Sequence, residues 1–282
     1  MLFLNNHIDF ALQICYTSIM RDTFFPKTMT IRVPSFVTRL VAAELPKRDF
    51  LKSDGRGNEN EFYNKMLPNM LAYRAYKKGY LREYLDKNVK ASITEGMQEK
   101  ILDFLAESFD YLYFDESEYE CDDVINLRFD VKNEDLYAEL FVRLDNIGIK
   151  RSAYLRNLIH EYFNQSEYQK ERICFNEEYI KLTEAISDEL IFQFKGEENV
   201  RSAFAIALEY SVTNEHWYLL YFKDEKYDTL YSTPLYQIKN ILIKHRPGSE
   251  PPTTISEAVN SIIDSGEFDS AKSFVLGGND NA

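Results

Sequence analysis

The sequence predicts an α+β protein with a mainly helical N-terminal region, a small β-barrel after it and a short C-terminal segment. Two observations carry this. A pattern of one alternating strand followed by two amphipathic helices occurs at 28–76 and recurs about 96 residues later at 125–163. Beyond about residue 180, helical spacing gives way to short strand-like runs separated by hairpin-length polar breaks. At 282 residues, 45% hydrophobic and 28% charged, the chain is long enough for two or three small domains and too apolar for disorder.

In the first unit, TMTIRV (28–33) puts Thr28, Thr30 and Arg32 on one face of a strand and Met29, Ile31 and Val33 on the other. Pro34 ends sheet pairing and suits the first turn of a helix, whose apolar stripe is Phe36, Val37, Leu40 and Val41. A polar loop, 52–61, precedes a second helix marked by Phe62, Tyr63, Met66, Leu67, Met70 and Leu71. Pro68 predicts a kink there, because it cannot donate to residue 64.

In the second unit, INLRFD (125–130) places Asn126, Arg128 and Asp130 on one strand face. Leu136, Tyr137, Leu140, Phe141 and Leu144 mark a helix ended by Gly148. Ser152 is the expected N-cap of a last helix carrying Leu155, Leu158, Ile159, Tyr162 and Phe163. The connector between the units, 79–113, reads as mostly helical, and the acidic run Asp115 to Asp123 as a solvated linker.

Residues 1–27 read as an extension outside both units, 28–163 as the helical region and 164–180 as a linker. The barrel is expected over 181–246, with strand-like runs at 190–194, 203–212, 217–222 and 227–231. RPGSEPP (246–252) is a breaker, a short helix is expected near 255–264, and 247–282 forms a C-terminal segment with a disordered tail.

The net charge of −13 is unevenly spread. Residues 21–90 hold 15 Lys and Arg against 8 Asp and Glu, whereas the last 192 residues hold 18 against 37. A basic binding module on an acidic body has this distribution, and so do two differently solvated surfaces. Three cysteines (Cys15, Cys121, Cys174) and four scattered histidines make none of the usual zinc modules, so neither metal nor cofactor is expected. Without GxSxG, HExxH, P-loop or GxGxxG motifs, no enzymatic activity is expected either. No apolar run approaches a membrane span, and the N-terminus lacks a basic n-region; a cytoplasmic protein with no membrane partner is the default.

Strand, helix, turn and helix with a basic strand residue resembles the ribbon-helix-helix family, best over 125–163, where GIKRSAYLRNLIHEYF (148–163) is similar to that family's turn and second helix. The resemblance implies that two strands pair antiparallel about a two-fold axis and present outward side chains to a DNA major groove. Thr30, Arg32, Asn126 and Arg128 would form that set, with Lys150, Arg151 and Ser152 near phosphate. Two copies in one chain raise the possibility that 28–33 and 125–130 pair with each other. Asp130 on the same face is unfavourable for DNA.

HWYLLY (216–221), set between strand-like runs and followed by YDTLYSTPLYQIKNI (227–241), resembles the WYL domain, an Sm-like or SH3-like small β-barrel. Leu208 stands where that family usually has proline, and Tyr231, Pro234 and Gln237 where arginines usually recur. The domain order over most of 28–245 resembles the WYL accessory proteins of type VI-D CRISPR systems. That resemblance implies a non-catalytic partner that binds single-stranded RNA and stimulates a type VI CRISPR effector nuclease. His216, Tyr218, Tyr231, Lys195, Arg201 and Lys239 are the expected RNA-binding residues, since single strands need stacking faces and cations. The alternatives are a DNA-binding transcriptional regulator with a ligand-sensing WYL domain, acting on duplex DNA, and a protein-interaction module. A homodimer is expected in either nucleic-acid reading.

Overall fold

The computed structural model describes residues 25–89, 97, 101, 121–146, 148–196, 198–224, 226–248 and 251–276. The expected connector over 79–113, the first 24 residues and most of the acidic run lie wholly or largely outside them. The chain divides into two compact units, one of residues 1–44 and 55–162, the other of 45–54 and 163–282.

The first unit is built on a two-stranded ribbon of β1 (Thr28–Val33) and β2 (Asp123–Arg128). Its helices are α1 (Ser35–Lys47, in this unit as far as Glu44), α2 (Glu59–Val89), α3 (Glu134–Asn146) and α4 (Arg151–Phe163). Both strands alternate: Ile31, Val33, Ile125 and Leu127 are buried, and their neighbours are exposed. The same unit buries Val37 and Val41 of α1, Phe62, Met66 and Met70 of α2, Tyr137 and Phe141 of α3, and Leu155, Leu158 and Ile159 of α4. Each such side chain contributes about 1.5–3 kcal/mol, which makes this core the main source of order in the unit.

Two element ends differ from the sequence reading, and Pro68 sits inside an unbroken helix. The second strand begins and ends two residues earlier than expected, so Asp130 leaves the ribbon face and instead caps a short 3₁₀ turn, accepting from Lys132 N at 3.3 Å. Helix α2 continues through Pro68. The carbonyl of Asn64, which Pro68 cannot serve, accepts from Asn133 Nδ2 at 3.3 Å. Helix α4 starts at Arg151, one residue before the expected cap Ser152. The preceding turn is set by Gly148 at φ +76°, with Ile149 N donating to Leu144 O and Gly148 N to Asp145 O, the paired bonds of a Schellman stop. Phe25, inside the expected extension, lies 5.5 Å from Phe129 and 6.5 Å from Tyr137, ring to ring.

The second unit holds α5 (Glu167–Cys174), α6 (Asn176–Ser187), β3 (Leu190–Lys195), β4 (Asn199–Ser211), β5 (His216–Lys223), β6 (Thr229–Pro234), β7 (Lys239–Pro247), α7 (Thr253–Ser265) and β8 (Ser273–Val275). Residues 164–180, read as a linker, carry α5 and part of α6. The expected closed barrel is also corrected. The six strands form an open antiparallel sheet in the order β7-β3-β4-β5-β6-β8, with β7 and β8 at its edges. A small barrel covers its apolar interior by closing on itself; here α7 covers one face, Val259 packing with Ile191, Phe204, Leu220, Phe222, Leu230 and Phe268. Among the described residues no helix is long and apolar enough to cross a membrane.

A buried ion cluster ties 45–54 to α5 and β5 within this unit. The Arg48 side chain is fully buried and lies 3.3 Å from Glu171, itself fully buried, and 2.9 Å from Glu167. Arg48 also donates to the carbonyls of Glu167 and Glu215 at 3.2 and 3.3 Å. Glu171 Oε2 accepts from Trp217 N at 2.9 Å and sits 3.2 Å from His216 Nδ1. Such a pair gains from mutual attraction only while both partners remain. Arg48→Met is expected to lower unfolding stability in urea by about 3–5 kcal/mol, and Arg48→Met with Glu171→Leu to recover a large part of that loss.

Burial alone would raise the Glu167 carboxyl, but hydrogen bonds from Lys170 and Lys47 outweigh it and hold the group at about 2, below its ordinary 4.5. A carboxyl depressed on folding stabilises fully above its unfolded value, and that contribution is lost as the pH falls towards the folded one. Stability should therefore decline from about pH 4.5 towards 2, and Glu167→Gln should flatten that limb in chemical denaturation run across the same range.

Candidate nucleic-acid interfaces

The ribbon of the first unit pairs Thr28 with Arg128, Thr30 with Asn126 and Arg32 with Val124. Thr30 and Asn126 are also 96 residues apart, the period of the repeat, so the local pseudo-two-fold axis passes between them. Thr30 Oγ1 donates to Asn126 Oδ1 at 3.0 Å across that axis. Arg32 and Arg128 are then mates, each two residues from the axis on opposite strands. Strand geometry sets their Cα atoms about 14 Å apart on one exposed face, together with Thr28 and Val124.

The backbone beneath these arginines is held from the helices. Arg156, 4% exposed, donates to Arg32 O at 3.0 Å. Asn64 Nδ2 donates to Arg128 O at 2.7 Å, Asn64 Oδ1 accepts from Asp130 N at 2.8 Å, and Asn60 Oδ1 accepts from Arg128 N at 3.2 Å. At the other end Asp122 Oδ1 accepts from Ser35 N at 2.8 Å, at the start of α1. Asp123 accepts from Thr38 Oγ1 at 2.6 Å and from Val124 N at 2.8 Å, which holds its carboxyl below the usual range.

Of the residues expected near phosphate, Lys150 is exposed and Ser152 half-buried. Arg151 lies over the Phe141 ring at 4.9 Å and ion-pairs with Asp145, so it clamps the Gly148 turn.

In the second unit a groove of about 580 Å³ runs beside β5, β6 and β8. Four tyrosines line it, Tyr218, Tyr221, Tyr231 and Tyr236, together with Phe194, Lys223, Gln237 and Lys272. Tyr221 packs edge-on against Phe194 at 5.3 Å and stacks with Tyr231 at 5.6 Å, while Lys223 Nζ lies 3.9 Å from the Tyr231 ring centre. Burial raises the phenols of Tyr218 and Tyr221. Gly196 leaves room for the Phe194 wall, since a Cβ there would stand 3.3 Å from that ring.

Only Tyr218 and Tyr231 of the six expected RNA-binding residues line the groove. His216 turns instead to the Arg48–Glu171 cluster, with Tyr236 at 4.7 Å, ring to ring. Lys195 and Lys239 are exposed and directly opposite on β3 and β7, with Asp49 3.7 Å from Lys239; Arg201 is exposed on β4, where its carbonyl accepts from Lys244. Trp217 is an internal anchor, its Nε1 donating to Tyr168 O at 2.9 Å and its ring packed edge-on with Tyr179 and Tyr210. Glu198, Ser232 and Lys272 join the groove with no signal in the sequence, because only the fold brings 198, 232 and 272 together. Among the described residues no group of His, Cys, Asp and Glu is placed to hold a metal ion.

No protein-family model matches the chain, and no curated protein matches it. Among solved structures, one described as the crystal structure of a CRISPR Cas-related protein superposes with a TM-score of 0.60 at 13% identity, covering 86% of this chain and 71% of that one. The likeness is one of fold.

Asn64 carries the end of the ribbon, which gives a direct check. Asn64→Ala should cost about 0.5–1.5 kcal/mol, as the solvent-accessible Arg128 carbonyl and Asp130 amide exchange their partner for water. In hydrogen exchange the Asp130 amide should lose protection while the amide of Ile31 keeps it.

Proposed function

We propose that this chain is a non-catalytic, CRISPR-associated accessory protein that binds single-stranded RNA through the tyrosine groove of its second unit and stimulates an RNA-guided type VI effector nuclease. The observation that carries the binding is the groove itself, four tyrosines with Lys223 and Lys272 in one concavity. Flat aromatic faces beside ammonium groups suit unpaired bases and their phosphates, whatever the sequence. The WYL-like residue pattern and the fold shared with a CRISPR Cas-related protein support the CRISPR context. The protein is taken to be cytoplasmic and homodimeric.

A second reading, a regulator that binds duplex DNA, draws on the ribbon. Its exposed face carries Arg32 and Arg128 symmetrically about Thr30 and Asn126, and Asp130 no longer opposes an anion there.

A competition between labelled single-stranded RNA and duplex DNA of equal length, repeated over a salt series, separates the two. Tighter RNA binding, with a slope of about −0.7 per phosphate contacted, supports the accessory reading, and nuclease assays with and without the chain then test stimulation. Tighter duplex binding favours the regulator; no binding to either at low salt overturns both. Tyr218→Leu, which keeps apolar volume but removes the stacking face, should weaken RNA binding by about 1–3 kcal/mol. Arg32→Ala with Arg128→Ala should abolish duplex binding and leave RNA binding intact.

A further inference from the structure

Within the groove, one ion pair is unevenly buried. Lys223, on β5, has a side chain 22% exposed, resting on the Tyr231 ring and paired with Glu198. Glu198 is 69% exposed and stands at the tip of the β3–β4 hairpin, where Gly196 N donates to Glu198 O at 3.0 Å. The cation is the member that needs a counter-charge, because its surroundings are largely aromatic. The carboxylate loses little by swinging into water. Both residues line the groove.

The volume, about 580 Å³, is that of a pocket for one small polar aromatic molecule rather than a long stretch of polymer.

We propose that Lys223 is the anion seat of the groove and that Glu198 is its internal competitor, displaced when the phosphate of one nucleotide unit takes its place. The occupant is a nucleotide unit, its base on the tyrosines and its phosphate on Lys223. This deepens the RNA reading and rests on it for the identity of the polymer, not for the seat. Glu198 thereby sets a threshold, since neutral ligands gain nothing from opening the pair. A phosphate gains a cation already placed over an aromatic ring.

Two probes test the seat: a fluorescein-labelled twelve-nucleotide oligouridine read by anisotropy over a salt series, and inorganic tripolyphosphate read as a shift in melting temperature against sodium chloride of equal ionic strength. Glu198→Gln should tighten oligouridine binding by about twofold to fivefold, the size of one exposed ion pair removed as competitor. Lys223→Gln should weaken it about tenfold and reduce the salt slope by about 0.7. Lys223→Arg should restore most of the affinity, and the double variant should behave as Lys223→Gln alone, because Glu198 acts only through Lys223. Tripolyphosphate should stabilise the unaltered chain, stabilise Glu198→Gln more, and leave Lys223→Gln unmoved.

Stabilisation by tripolyphosphate without oligouridine binding keeps the seat and discards RNA as its ligand. Oligouridine binding that neither substitution alters keeps the RNA reading and overturns the seat. Weaker binding by Glu198→Gln also overturns it, as would the absence of a response to both probes.

Discussion

The arrangement of the second unit depends on a charge that has nowhere else to go. Arg48, with its side chain fully buried, pairs with the equally buried Glu171, and Glu171 in turn holds the backbone of Trp217 at the first residues of β5. That bond fixes the first residues of β5, while the ladders to β4 and β6, with a register shift opposite Leu220 and Tyr221, set where Tyr218, Tyr221 and Lys223 lie. Removing either charge strands the other, and for this reason a pair that adds little net stability is decisive for where the strand starts.

The first unit solves a different problem. A two-stranded ribbon alone is marginal in water, so its buried face is roofed by helices and its ends are fixed by side-chain amides from α2 and by Asp122 at α1. Its exposed face then needs no packing role. Thr30, Arg32, Asn126 and Arg128 can stand clear of the core because Ile31, Val33, Ile125 and Leu127 supply it.

Much of this was legible in residue order. Alternation at TMTIRV and the 96-residue recurrence pointed to both strands and raised their pairing as a possibility, because period and polarity are local properties. The second strand came two residues early for a partly non-local reason: Asp130 donates its amide to the Asn64 side chain, 66 residues away, and caps a turn of its own through the nearby Lys132 amide. The helices at 167–187 were hidden by their many charges, which let 164–180 read as a linker, yet Glu167 and Glu171 meet Arg48. The groove was half legible. Tyr218 and Tyr231 carried a residue-type signal, whereas Glu198, Ser232 and Lys272 acquire meaning only when the sheet brings three loops and strands together.

The spacing of the ribbon strands also sets the order of events at the ribosome. β1 is synthesised 95 residues before its partner, Thr28 to Asp123, and has no other strand to pair with in its sheet. At about 5–20 residues per second, its edge waits roughly 5–20 s for β2. During that interval, among the described elements of this unit, α1 and α2 alone have been made to cover the apolar side of the first strand, Ile31 and Val33. Assembly of this unit is thus governed by closure of a long loop, and a chaperone or a slow codon would act most strongly in the stretch between the two strands.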